Sequence, residues 1–74
     1  MPSRIPQIAA VKKILDTGFW YTLPGLRAGC SVYGVPASEA GISARIRDLR
    51  KPKYGGHTIE RRKNGSLWEY RLVR

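Results

Sequence analysis

Three cations in a row, Arg61-Arg62-Lys63, directly precede Asn64-Gly65, and a second set, Arg45, Arg47, Arg50, Lys51 and Lys53, lies a short way upstream. Groups of this kind bind oxyanions: the planar guanidinium fork matches a phosphate or the edge of guanine, and the lysine ammonium acts as a point charge. The two sets belong to a wider asymmetry. Fourteen Lys+Arg stand against five Asp+Glu in 74 residues, a formal charge of +9, and residues 43–74 hold ten basic and three acidic side chains, so +7 of the surplus is C-terminal. Most of that charge must sit on the surface of so small a body, and the expected partner is polyanionic. The alternative is that the basic tracts only solvate the surface.

Other chemistry lacks its residues. His57 and Cys30 are the sole histidine and cysteine, and the five carboxylates are scattered singly. One Cys and one His do not fill a tetrahedral zinc site, and no glycine-rich loop precedes a helix to cradle phosphates. The expectation is a non-enzymatic protein with no metal, no cofactor and no evident small-molecule ligand. His57, at a strand start, reads as structural, and Cys30 as a small core residue. The chain has no apolar stretch near the roughly 20 residues of a membrane span, and its start, MPSRIPQ, has no apolar signal-peptide core, so a soluble, cytoplasmic protein without membrane partners is expected. Its length allows one domain, residues 1–74.

The elements that must carry the cations follow from periodicity. Ile5, Ile8, Val11 or Ala9, and Ile14 with Leu15 recur at three- and four-residue steps, which predicts an amphipathic helix over 5–17 with Ser3 as a cap, Pro6 in the first turn and Gly18 at the end. Residues 19–34 admit two readings. Thr22 caps a short helix from about Pro24 with Leu26, Cys30 and Tyr33 turned inward, or Phe19, Trp20 and Tyr21 form a short strand. After a turn at Gly34-Val35-Pro36, Ile42, Ile46 and Leu49 fall at i, i+4 and i+7, predicting a helix of about 37–51 capped by Ser38 and stopped by Pro52. Gly41 is unfavourable inside a helix, so either the helix starts later than Ser38 or the backbone there approaches another group closely.

Beyond Gly55-Gly56 the pattern changes to period two, with Asn64-Gly65 between two runs, which predicts a β-hairpin over 57–73. If Asn64 and Gly65 are the two loop residues, Lys63 faces Ser66, Arg61 faces Trp68, Ile59 faces Tyr70 and His57 faces Leu72; a three-residue bulged turn would shift this. One face then carries Ile59, Trp68, Tyr70 and Leu72 and packs on the helices, and the other carries Thr58, Glu60, Arg62, Glu69 and Arg71 with an exposed Leu67. Trp68 and Tyr70 are read as core, with stacking on bases as the alternative.

Three helices and a basic hairpin are the element order of an α+β winged helix-turn-helix domain, in which the third helix enters the DNA major groove and the C-terminal two-stranded hairpin lies along the backbone or minor groove. The run Ile42-Ser43-Ala44-Arg45-Ile46-Arg47-Asp48-Leu49-Arg50-Lys51, the Tyr54-Gly55 turn, Ile59, Asn64-Gly65 and the closing Tyr70-Arg71-Leu72 resemble the small winged helix-turn-helix proteins of bacteriophages and prophages, over roughly residues 33 to 74. The resemblance implies a regulator that binds double-stranded DNA in a bacterial cytoplasm, associated with the nucleoid, or an excisionase-type factor that bends DNA. From other classes, the chain would bind RNA or an acidic host protein. Ala37, Ser38, Ser43 and Arg47 are the expected base-reading positions, with Arg45 flanking them. Arg50 lies with Arg47 on the outward face of the third helix, Lys51 and Lys53 are expected to hold backbone phosphates, and Arg61, Arg62 and Lys63 suit phosphate contact or minor-groove insertion. Asp48 would repel phosphate and is expected to orient an arginine. If the protein forms a homodimer or assembles cooperatively, half-sites about one helical turn apart are expected.

Overall fold

The first helix, α1, runs Gln7–Leu15 in the computed structural model, which describes residues 5–73. Pro6 occupies its cap position without a side-chain hydrogen bond, and Ser3, the expected cap, lies outside the described residues. Its apolar stripe, Ala10, Val11, Ile14 and Leu15, is buried, and the Gly18 amide closes the end on Leu15 O at 3.0 Å.

The two readings of the next segment both hold in part. Tyr21–Thr22 is a short strand, β1, and Thr22 is at once its last residue and the cap of α2, Leu23–Val32, accepting from Gly25 N at 3.1 Å. Leu26 and Cys30 are buried on α2, and burial pushes the Cys30 thiol pKa up. Tyr33, expected inward, is 47% exposed because the helix ends at Val32 and Tyr33 is its terminal cap. The third helix, α3, runs Glu39–Leu49 and buries Ile42, Ile46 and Leu49. Ser38 caps it, accepting from Gly41 N at 3.0 Å. A Cβ on Gly41 would stand 3.2 Å from Ser38 Oγ and 3.3 Å from Gln7 Oε1, so this glycine permits the cap and the start of α1 to close on α3.

A 3-10 turn at Pro52–Tyr54 leads to β2, Thr58–Asn64, and β3, Leu67–Val73. The sheet has three antiparallel strands in the order β1-β3-β2, not the isolated two-stranded hairpin expected, because Tyr21 pairs with Tyr70 and Thr22 with Glu69 along the other edge of β3. The hairpin register also differs from expectation by two residues: Asn64 pairs with Leu67, Arg62 with Glu69, Glu60 with Arg71 and Ile59 with Leu72. The expected register would have set Glu60 against Glu69. The observed one replaces that repulsion with two opposite-charge pairs, and a slip of two keeps every side chain on its expected face. Gly65, at φ +64°, is the only turn residue with positive φ, which suits the first central position of a II′ turn through Gly65-Ser66.

The core is one cluster drawn from α1, α2, α3, Val35 and the root of the hairpin, Ile59 and Leu72. Replacing Ile42, fully buried at its centre, with Ala is expected to lower unfolding free energy by about 2 to 5 kcal/mol. Urea unfolding should then show a lower midpoint with an unchanged slope.

Candidate nucleic-acid interface

The side of α3 opposite its buried stripe carries Ala40, Ser43, Arg47 and Arg50, spaced at three- and four-residue steps. Small residues at 40, 43 and 44 leave little between the helix backbone and an approaching surface, and Arg47 projects from them, exposed and in no ion pair of the described residues. Ser38, exposed at the helix start, uses its hydroxyl as the cap, and its remaining hydrogen-bonding capacity faces solvent. Ala37 packs partly against the core.

Arg45 does not join this stripe. It turns toward α1, sharing a hollow with Pro6, Gln7, Ile8, Asp48 and Tyr54, and its Nε lies 3.0 Å from Asp48 Oδ2. Lys51 approaches the other carboxylate oxygen at 3.3 Å, so Asp48 orients two cations, as its position predicts. Arg50 has a bracing role: its Nη2 donates to Ile59 O at 2.8 Å, and beside it His57 N donates to Leu49 O at 2.9 Å. Lys53 sits over the Tyr54 ring at 5.6 Å and stays exposed.

This brace lays β2 back along α3. Seven strand residues span about 23 Å and eleven helical residues about 16 Å, so the hairpin is long enough to reach the start of α3. Ser66, Leu67 and Trp68 accordingly share a cleft with Glu39, the first residue of α3. Trp68, expected in the core, is 43% exposed: the helices close on its face at Ile59 and Leu72, whereas at the tip the first turns of α2 and α3 leave an open cleft.

The three tip cations differ in their commitments. Lys63 is exposed and unpaired among the described residues. Arg61 lies 4.8 Å from the Trp68 ring centroid and also has no carboxylate partner. Arg62, in contrast, donates from Nε to Glu69 Oε1 at 2.8 Å and stacks on Trp20 at 4.2 Å. Arg71 reaches the same ring at 4.7 Å and Glu60 Oε1 at 2.5 Å. Trp20 and these four charged residues knit the outer face of the sheet, so Arg62 is a structural group as well as a candidate contact. The sequence signal for Trp20 was present, since its alternation with Thr22 on a strand puts it beside Arg71, but it required choosing the strand. Arg27 was also missed: on α2 it flanks a groove of about 410 Å3 that ends at Pro36 and Ala37, next to the start of α3.

Two substitutions separate bracing from contact. Arg50→Ala is expected to cost about 1 kcal/mol in urea unfolding and to speed amide exchange in β2, because a charge-assisted bond to a strand carbonyl is lost. Lys63→Ala should leave stability within about 0.5 kcal/mol. Comparison of the chain with protein-family models, with curated proteins and with solved structures returns no match.

Proposed function

We propose that the protein is a winged helix-turn-helix module that binds double-stranded DNA in a sequence-dependent way, with α3 in the major groove and the β2–β3 hairpin as the wing, and that it acts as a regulator of the phage or prophage type. In this reading it is a binding module, with no chemistry of its own. The observation that carries it is the coincidence of the start of a helix with a small-residue outer face and a hairpin tip bearing Arg61 and Lys63, which form no ion pair with the described residues. Arg47 and Ser43 read base edges, Arg47 by a bidentate contact to guanine. Lys51, Lys53, Arg61 and Lys63 take phosphates and fix the register of the helix in the groove.

The placement of carboxylates supports the same reading. Asp48, Glu60 and Glu69, the three acidic groups of residues 43–74, are each held by a basic neighbour, so none is left to oppose a phosphate. Glu39 is the exception near this surface, and it stands in the first turn of α3, where the helix dipole favours it.

Selection from a random duplex pool, followed by salt titration of the selected sites, tests the proposal. If about five phosphates are neutralised, log K against log salt should slope at roughly −4.5, and a slope near zero would overturn DNA binding. Arg47→Ala should cost about 1 to 3 kcal/mol on the selected site and little on random duplex; an equal loss on both would reduce Arg47 to a backbone contact. A bending assay on the selected sites distinguishes a regulator from an excisionase-type architectural factor. Preference for RNA, or 1:1 binding to an acidic protein that duplex DNA fails to displace, would move the protein to another class.

A further inference from the structure

An open cleft of about 190 Å3 lies between the hairpin turn and the first turns of α2 and α3, lined by Leu23, Pro24, Glu39, Ser66, Leu67 and Trp68. Its origin is topological. The short strand β1 stops at Thr22, paired with Glu69, and the chain then turns into α2 instead of continuing alongside Trp68 and Leu67. The end of β3 is therefore left with Trp68, on the face of Ile59 and Leu72, 43% exposed across a gap from Leu23 and Pro24, while Leu67 on the opposite face is 50% exposed.

Charge divides the cleft into an inside and a rim. On the rim, Lys63 is the cross-strand partner of Trp68, and the Arg61 guanidinium lies against the Trp68 ring. Inside, the one ionisable group is Glu39, which forms no ion pair with the described residues, whereas Asp16, Asp48, Glu60 and Glu69 all do. An anion is thus attracted to the rim and repelled from the interior. A cationic side chain would suit Trp68 and Glu39 but would have to pass Arg61 and Lys63 on a protein of charge +9. An acidic peptide would satisfy the rim and leave Glu39 without a partner. A nucleotide presented base first meets both demands: its phosphates stay at the rim, and a neutral planar ring that carries hydrogen-bond donors goes inside.

We propose that this cleft receives a single nucleobase unstacked from DNA, with Trp68 stacking on the ring and the Glu39 carboxylate accepting a hydrogen bond from an exocyclic amino group. The inference rests on the reading of α3 and the hairpin as a DNA surface and adds a ligand class to it. Cytosine, adenine and guanine each offer an exocyclic amino donor to Glu39, and thymine, which has none and whose ring N–H is flanked by two carbonyls, fits worst. A base that is already unpaired enters most readily, because the unstacking energy has been spent.

The test compares the full chain on a perfect duplex with the same duplex carrying one extrahelical cytosine or one extrahelical thymine. The cytosine bulge should bind on the order of tenfold more tightly than the perfect duplex, and the thymine bulge less tightly than the cytosine one. Trp68→Ala should abolish the preference for the bulge while leaving affinity for perfect duplex and its salt slope largely in place, and Trp68→Phe should restore it. Glu39→Gln should erase the discrimination between cytosine and thymine. Equal binding of bulged and perfect duplex by the unmodified protein, or a preference that survives Trp68→Ala, would overturn the base site and leave the DNA reading standing. Failure to bind any of these duplexes would overturn both.

Discussion

Two hydrogen bonds at the exit of α3 set the relation between the helix and the hairpin on which the rest of the surface depends. His57 N donates to Leu49 O and Arg50 Nη2 donates to Ile59 O, so the chain is held at the end of the helix and again one step into the strand. From this root the hairpin runs toward the start of α3, and the pairing of β1 with β3 at Tyr21–Tyr70 and Thr22–Glu69 holds its other edge. The lengths of the two elements then bring the tip beside Glu39 with no contact needed at the tip itself. Burial of Ile59 and Leu72 supplies the apolar part of the same anchorage, at the root and not beyond it.

That geometry divides the cations by task. Those near the root and on the outer face of the sheet are spent on structure: Arg50 on a strand carbonyl, Arg45 on Asp48, Arg62 and Arg71 on Glu69, Glu60 and the Trp20 ring. Exposed pairs of this sort contribute little each, but cross-strand placement and a shared aromatic ring orient them in one network. Arg47, Arg61 and Lys63, which form no ion pair with the described residues, lie on the outer side of α3 and at the tip. Sequence position alone does not distinguish Arg62 from Lys63, although they are neighbours. The alternation of a strand sends one to the outer face with Trp20 and the other to the face of Trp68.

Elements whose order is set by local periodicity and capping were legible in the sequence: α1, α3 with its Ser38 cap, and the hairpin with its two faces all appear where the residues predict them. Thr22 was legible as a cap, and the aromatic segment before it as a strand, but a single residue serving both was not, because the cap is a local bond to Gly25 whereas the strand depends on Glu69, far along the chain. The hairpin register depended on long-range charge pairing. Asn64-Gly65 announces a turn, yet whether Asn64 closes the strand or opens the loop is decided by Glu60 meeting Arg71 instead of Glu69. Trp68 was misplaced for a related reason: alternation assigns a face, and only the extent of the helical layer beneath decides whether that face is covered at a given step. Among the candidate contacts, Arg47, Lys53, Arg61 and Lys63 form no ion pair with the described residues, Lys51 and Arg45 share Asp48, as the expectation that Asp48 orients an arginine anticipates, and Arg50 is held by a strand carbonyl the sequence did not reveal.

The unpaired cations also act on folding. A charge of +9 on 74 residues repels itself, and the groups that could relieve it, the carboxylates of the C-terminal half, are already engaged. The core that opposes this repulsion is small and stops at the root of the hairpin, leaving Leu67 and Trp68 half covered at the tip. A polyanion laid across α3 and the hairpin would relieve the repulsion, and an unpaired base in the cleft would cover Trp68. Both effects occur only when the fold holds the cations and Trp68 at one end, so such a ligand stabilises the folded chain by mass action. On the proposed reading, surface charge that weakens the free protein is the source of its affinity for DNA, and the brace at Arg50 and His57 joins the two at the root of the hairpin.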